Sequence, residues 1–298
     1  MARRFGKWRR WDPYKKDQWI SKAFLWPSLI GVAVFFVLPF LVICYYSLIN
    51  NPNQHDFVFL DNFINLIHNS AFRTAAYNTA RFSAVAVPLA VILALGLAAL
   101  LECRIPLKSQ FRTFFLSPMM VPVASVVLIW QVLFNYNGAI NDFLAVFGVD
   151  KIDWFKSQYD QVAVILLFLW KNLGYNMILF MAALSNIPRD LLEMADIEGA
   201  GPWFKFVRIK LHFLSPTILF VTILSLINSF KVFREIYLLT GDYPYEGVYL
   251  LQHFMNNAFA SLDYQRLSAA AVLMAIAMVI IIAILFYIED RFGKDVEG

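Results

Sequence analysis

Six apolar runs, each long enough to cross a bilayer, alternate along this chain with short polar connections. A hydrocarbon core about 30 Å thick takes roughly 20 helical residues. The runs 23–48, 82–101, 113–134, 161–184, 213–240 and 267–288 meet that length. They are rich in Leu, Ile, Val, Ala and Phe and lack the period-two alternation of a barrel strand. The expected fold class is therefore an all-α membrane protein with six transmembrane helices. The fifth run is the least uniform, because Lys231, Arg234 and Glu235 interrupt its last third. The pairs Pro27/Pro39 and Pro118/Pro122 mark kinks in the first and third runs.

Between the fourth and fifth runs lies a charged interruption, Glu193 to Pro216, which reads as two short helices broken at Gly199 and at Gly201-Pro202. Pro188 suits a first helical turn, where its missing N–H costs nothing. Asp190 and Glu193 put negative charge at the positive end of that helix. Glu193, Asp196, Ile197 and Ala200 follow an i, i+3, i+4, i+7 spacing that places them on one face. The second helix is amphipathic: Trp203, Phe206, Val207 and Leu211 can lie on a membrane while Lys205 and Arg208 face water. On pattern alone this elbow is either a juxtamembrane anchor or a docking surface.

Composition agrees with the membrane reading. Hydrophobic residues make up 60% and charged residues only 15% of the chain, against about a quarter charged in soluble domains. The net charge of +4 is too small for a nucleic-acid surface, and its distribution sets the orientation. Basic residues concentrate on one set of segments: eight before residue 23, three around Arg104, Lys108 and Arg112, four from Arg189 to Lys210, and two at Arg291 and Lys294. The alternate loops hold four, Arg73, Lys151, Lys156 and Arg266. By the positive-inside rule both termini and the elbow are cytoplasmic. The expected organisation is a basic cytoplasmic segment 1–22, a membrane domain 23–288 and a short cytoplasmic tail 289–298. The first run is too long for a signal-peptide core of about 7–15 residues and is expected to remain as an uncleaved span. Cys44 and Cys103 sit in or beside apolar runs and imply no disulfide framework.

The elbow resembles the cytoplasmic signature loop of binding-protein-dependent ABC importer permeases. Glu193-Met194-Ala195, then Gly199-Ala200, then Ile209-Lys210-Leu211 follow that loop's spacing, with Met194 for an alanine and His212 for a proline, and Pro216 matches the proline that opens the fifth span. Further matches lie at Phe111-Arg112-Thr113, Trp130 with Phe134, Gly138-Ala139-Ile140-Asn141, Trp154, Ile187-Pro188 and Leu239-Thr240-Gly241. They are similar to permeases of the carbohydrate type, the relatives of maltose and glycerol-phosphate importers, and the likeness runs from about residue 25 to 292. The resemblance implies a plasma-membrane protein of a bacterium or archaeon that does no chemistry itself. It implies four kinds of partner: a second homologous permease, two ATP-binding cassette ATPases, an extracytoplasmic solute-binding protein, and a sugar or oligosaccharide cargo. It implies no cofactor in this chain, with ATP and magnesium on the ATPases. It assigns ATPase coupling to Glu193, Ala195, Asp196, Gly199, Ala200 and Gly201.

Polar groups inside a membrane default to functional candidates. Asn172 and Asn176 on the fourth run, and Asn228, Ser229 and Lys231 on the fifth, offer donors and acceptors suited to hydroxyl-rich solutes. Trp130 and Tyr175 could supply aromatic faces for sugar rings, as could Trp170. The alternative for each is a hydrogen bond between helices, worth about 0.6–2 kcal/mol. Lys231 and Glu235, at i and i+4, are expected to pair with each other or with a partner subunit. No Walker loop, HExxH motif or nucleophile elbow occurs in the sequence, and the histidines are scattered without metal-ligand spacing, so an intramembrane enzyme is disfavoured. A proton-coupled secondary transporter or channel is the alternative function. It would need a carboxylate near the middle of a span, and Glu235 is the nearest.

Overall fold

In the computed structural model, which describes residues 13–51, 54–102 and 106–293, the chain is a bundle of helices with no strand among those residues. Helix α1 (Pro13–Val32) runs through a π-turn at Ala33–Val37 into α2 (Leu38–Tyr46). The short α3 (Asp61–His68) leads to α4 (Ser70–Glu102). Then come α5 (Lys108–Met120), α6 (Val123–Leu133), α7 (Ala139–Ala145) and α8 (Asp160–Ser185). The elbow holds α9 (Arg189–Ile197), α10 (Pro202–Phe204), a π-turn at Lys205–Lys210 and α11 (Leu211–Phe213). It is followed by α12 (Ser215–Lys231), α13 (Phe233–Thr240), α14 (Leu251–Ala260) and α15 (Tyr264–Gly293). Five helical stretches are long and apolar enough to cross a membrane, and a sixth span results if the bent pair α5–α6 counts as one.

That bent pair corrects the straight third span expected at 113–134. The two helices meet at 101°, and the cause is local. Val121 and Pro122 are both extended, as a residue before proline is sterically pushed to be, and Pro122 has no N–H to continue the ladder. The second span is also longer than its apolar run, beginning at Ser70 rather than 82. The fifth begins at Ser215 with Pro216 in its first turn. Of the basic N-terminal segment, residues 1–12 lie outside the described residues, as do 294–298 of the tail and Cys103 and Arg104.

The core forms where α4 crosses α8. Phe82, Ala86, Ala90, Ala94 and Ala98 recur every four residues on α4 and are buried. They meet Val164, Phe168, Met177, Phe180 and Leu184 of α8. Small side chains let helix backbones approach, which is how helices associate in lipid. Gly174 does the same on the other face of α8, where a Cβ would stand 1.8 Å from the Phe115 carbonyl oxygen of α5. The first span is peripheral: Phe24–Tyr46 packs on α15 and leaves its apolar side chains outward, as a bilayer allows.

Candidate functional site

Candidate residues gather in two regions, a polar cavity within the bundle and the elbow at one end of it. The cavity, of about 400 Å³, opens between the end of α5, α8 and the α12–α13 junction. Asn172, Tyr175, Asn228 and Lys231 line it, joined by Lys171, Arg234, Glu235 and Met119. Asn228 donates to the Asn172 side-chain oxygen at 2.9 Å, and Asn172 donates to the Phe168 carbonyl at 2.8 Å. Glu235 is buried and forms its ion pair with Lys171 of α8. This corrects the expected Lys231–Glu235 pairing. Lys231 ends α12 and Glu235 lies on α13, so the i+4 spacing does not run along one continuous helix. A lysine 64 residues away reaches the carboxylate from α8 instead, and Lys231 is left on the cavity wall.

The remaining candidates lie within helix packing instead of on that wall. Asn176 is buried and donates to Ser225 at 2.9 Å. Ser229 is fully buried between Ser83 and the Leu226 carbonyl. Trp130 is buried, donates its indole N–H to the Ala163 carbonyl, and packs on Phe134 and Trp170. Which face of each helix turns inward depends on tertiary packing, so equal depth along a run did not separate these residues from Asn172 and Asn228.

At the elbow, α9 starts after Pro188, which sits at the N-cap position with φ −57° and ψ 127° and makes no side-chain cap. Gly199 adopts φ +79°, a left-handed conformation natural to glycine. It ends α9 so that the Ala200 N–H returns to the Ala195 carbonyl at 2.8 Å. The helix stops before Ala200, which does not extend the face of Glu193, Asp196 and Ile197. Ala195 points into the fold and is 8% exposed, whereas Ile197 is 88% exposed. Gly201 precedes Pro202 at the start of α10. Lys205 clips the second half of the elbow to Asp196 at 2.5 Å, and Lys210 clips it to Glu102 at the end of α4 at 2.6 Å. Glu193 and Asp196 thus stand exposed beside the apolar side chains of Met194, Ile197 and Trp203.

At the opposite end of the bundle the structure reveals a polar clamp that the sequence did not disclose. Gln161 donates to the Gly247 carbonyl at 2.7 Å, Asn78 to the Glu246 and Tyr249 carbonyls, and the Leu251 N–H to Thr79 at 2.9 Å. Asn141, fully buried, donates to the Tyr136 and Ile152 carbonyls and accepts from Trp154. Buried His253 accepts from the Leu250 N–H, and burial lowers its pKa from 6.5 to about 4. An asparagine inside a loop motif was the available signal, and it spoke equally for a turn.

Residues 86–298 match the family described as the binding-protein-dependent transport system inner membrane component. The chain belongs to that family. This permease is 31% identical over 289 residues to the sn-glycerol-3-phosphate transport system permease protein UgpA of Escherichia coli (strain UTI89 / UPEC), covering 94% of this chain and 97% of that one. It is 30% identical, over the same shares, to the protein of that name from Salmonella choleraesuis (strain SC-B67). Its fold is that of a bacterial alginate ABC transporter solved in complex with alginate pentasaccharide-bound periplasmic protein. The TM-score there is 0.81 at 21% identity, covering 96% of this chain and 99% of that chain. The permease is a multi-pass inner-membrane component of an ABC importer of the carbohydrate type, and its relatives are transport subunits and not enzymes.

Proposed function

We propose that this permease is one of two paired permease subunits of an ATP-driven importer, and that it carries a sugar, oligosaccharide or related polyol across the plasma membrane. Its relatives are named for sn-glycerol-3-phosphate and its structural neighbour for alginate, a polyol phosphate and a polysaccharide. The observation that carries the coupling half of this reading is the elbow. It is a compact, glycine-terminated knob, held to α4 by Lys210 and Glu102, that presents Glu193, Asp196 and Ile197 outward. In this reading the knob faces the cytoplasm, as the basic-residue bias requires. It seats in a groove of an ATPase subunit that holds the ATP and magnesium. Ala195, Gly199, Ala200 and Gly201 shape the knob, while Glu193 and Asp196 meet the partner. Closure of two ATPases moves the elbow as a unit, and the spans attached to it rock to open the cavity to alternate sides. A solute-binding protein delivers cargo on the outer side, and the second permease completes the path.

The proton-coupled alternative loses support from the same cavity. Glu235, the candidate carrier, is buried and engaged in an ion pair with Lys171. Affinity purification of the tagged permease from its own membrane, combined with Glu193→Lys, tests the proposal. An ATPase and a second permease should co-purify with the native chain. The variant should insert normally while solute-stimulated ATP hydrolysis falls by at least tenfold. Uptake at the native rate by Glu193→Lys counts against the coupling role.

A further inference from the structure

We infer that the cavity selects an anionic cargo, a phosphorylated or carboxylated polyol or saccharide, and that Lys231 and Arg234 are the groups that receive its charge. The inference deepens the proposed function and rests on the reading of this chain as half of a translocation path.

The argument begins with how the cavity's charges are partnered. Four charged side chains line it: Lys171, Lys231, Arg234 and Glu235. The carboxylate is already engaged by Lys171. Neither Lys231 nor Arg234 has an ion-pair partner among the described residues, and both are exposed on the cavity side of α12–α13. Two unpaired cations therefore remain.

Depth makes this consequential. The stretch Ser215–Thr240 is 26 residues, or about 39 Å of helix, and Lys231 lies roughly 24 Å from its Ser215 end. Both cations lie on a stretch long and apolar enough to cross a membrane, whose hydrocarbon core is about 30 Å thick. A charge at that depth requires water, an opposite charge or both.

The neutral groups point the same way. Asn172 and Asn228 spend one amide donor and one acceptor on each other, and Asn172 spends another donor on Phe168. Set against the three N–H groups of a lysine and five of an arginine, the free hydrogen-bonding capacity of the wall is dominated by donors. A hydroxyl-only sugar would leave two cations uncompensated. A phosphate or carboxylate supplies the missing acceptors and the missing charge, while its hydroxyls meet the two amides and its carbon face meets Tyr175 and Met119. An arginine fork suits either oxyanion bidentately.

The competing occupant is a carboxylate of the second permease, and charge-selective cysteine labelling separates the two. Leu224, a cavity-lining apolar residue, is changed to cysteine in a Cys44→Ser/Cys103→Ser background. The intact importer is then treated with methanethiosulfonate reagents of matched size, one bearing a sulfonate and one a trimethylammonium group. With each rate divided by that reagent's rate on a free thiol, the anionic reagent should react at least tenfold faster, the ratio expected of a cavity held at a potential above one kT. Lys231→Gln/Arg234→Gln should bring the ratio close to one. A ratio at or below one in the native-charge protein means that partner carboxylates neutralise the cations, and it overturns the inference. So does the absence of reaction with either reagent, which would mean that no water path reaches these charges. Co-purification of the ATPase in the same preparation is independent of either result. It therefore shows whether the proposed function itself survives.

Discussion

At the scale of single residues, partnership decides what a polar group does more than depth does. Lys171 and Lys231 are both lysines near the same level, yet one neutralises a buried carboxylate and the other stands open on the cavity. The sequence placed Asn172, Asn176, Asn228 and Ser229 in one group because their positions along the runs are equivalent. Packing then divided them by a rotation about the helix axis that composition does not encode. His253 shows a different consequence of burial. Its folded-state pKa of about 4 lies below the unfolded value of 6.5. Between those values the unfolded chain binds a proton that the folded one refuses, so stability is full above about pH 6.5 and declines as pH falls toward 4. The integrated loss is on the order of 3 kcal/mol. Thermal unfolding in detergent from pH 7 to 4.5 should show this slope, and His253→Phe should flatten it. An identical pH slope in the variant would remove His253 as the source.

At the scale of elements, the apolar runs were legible because a bilayer imposes a length that soluble cores do not. All the runs reappear as helix, with ends that moved for physical reasons. Half of the first twelve residues of α4 are polar, which kept them out of the apolar run. They stay helical because Asn78 and Thr79 are satisfied by the 246–251 segment, far away in sequence. The third run hid a corner, since two prolines announce a bend without fixing its angle. Glycines were equally ambiguous in sequence and separate in three dimensions. Gly174→Ala should force α5 away from α8, because the new Cβ would stand 1.8 Å from the Phe115 carbonyl oxygen. A cost of about 1–3 kcal/mol is expected from such overpacking. Gly96→Ala meets nothing within 4 Å and should leave stability unchanged or raise it slightly, as alanine favours helix. Melting both variants in detergent decides the matter, and equal midpoints would contradict the close α5–α8 contact.

At the scale of the whole molecule, the cavity and the elbow hang on the same two helices. Helix α8 carries Lys171, Asn172 and Tyr175 and then enters the elbow at Pro188, while α12 leaves the elbow at Ser215 and carries Asn228 and Lys231 into the cavity wall. A push on the knob therefore acts directly on the elements that line the cavity. The measurement that bears most directly on this lever is the location and contact of its tip. Ile197→Cys, introduced in the Cys44→Ser/Cys103→Ser background, should be protected from a membrane-impermeant maleimide in intact cells and become labelled once the membrane is opened. In the assembled importer it should form a cross-link to the ATPase subunit. Labelling of Ile197→Cys in intact cells would put the knob on the outer side of the membrane and contradict the account.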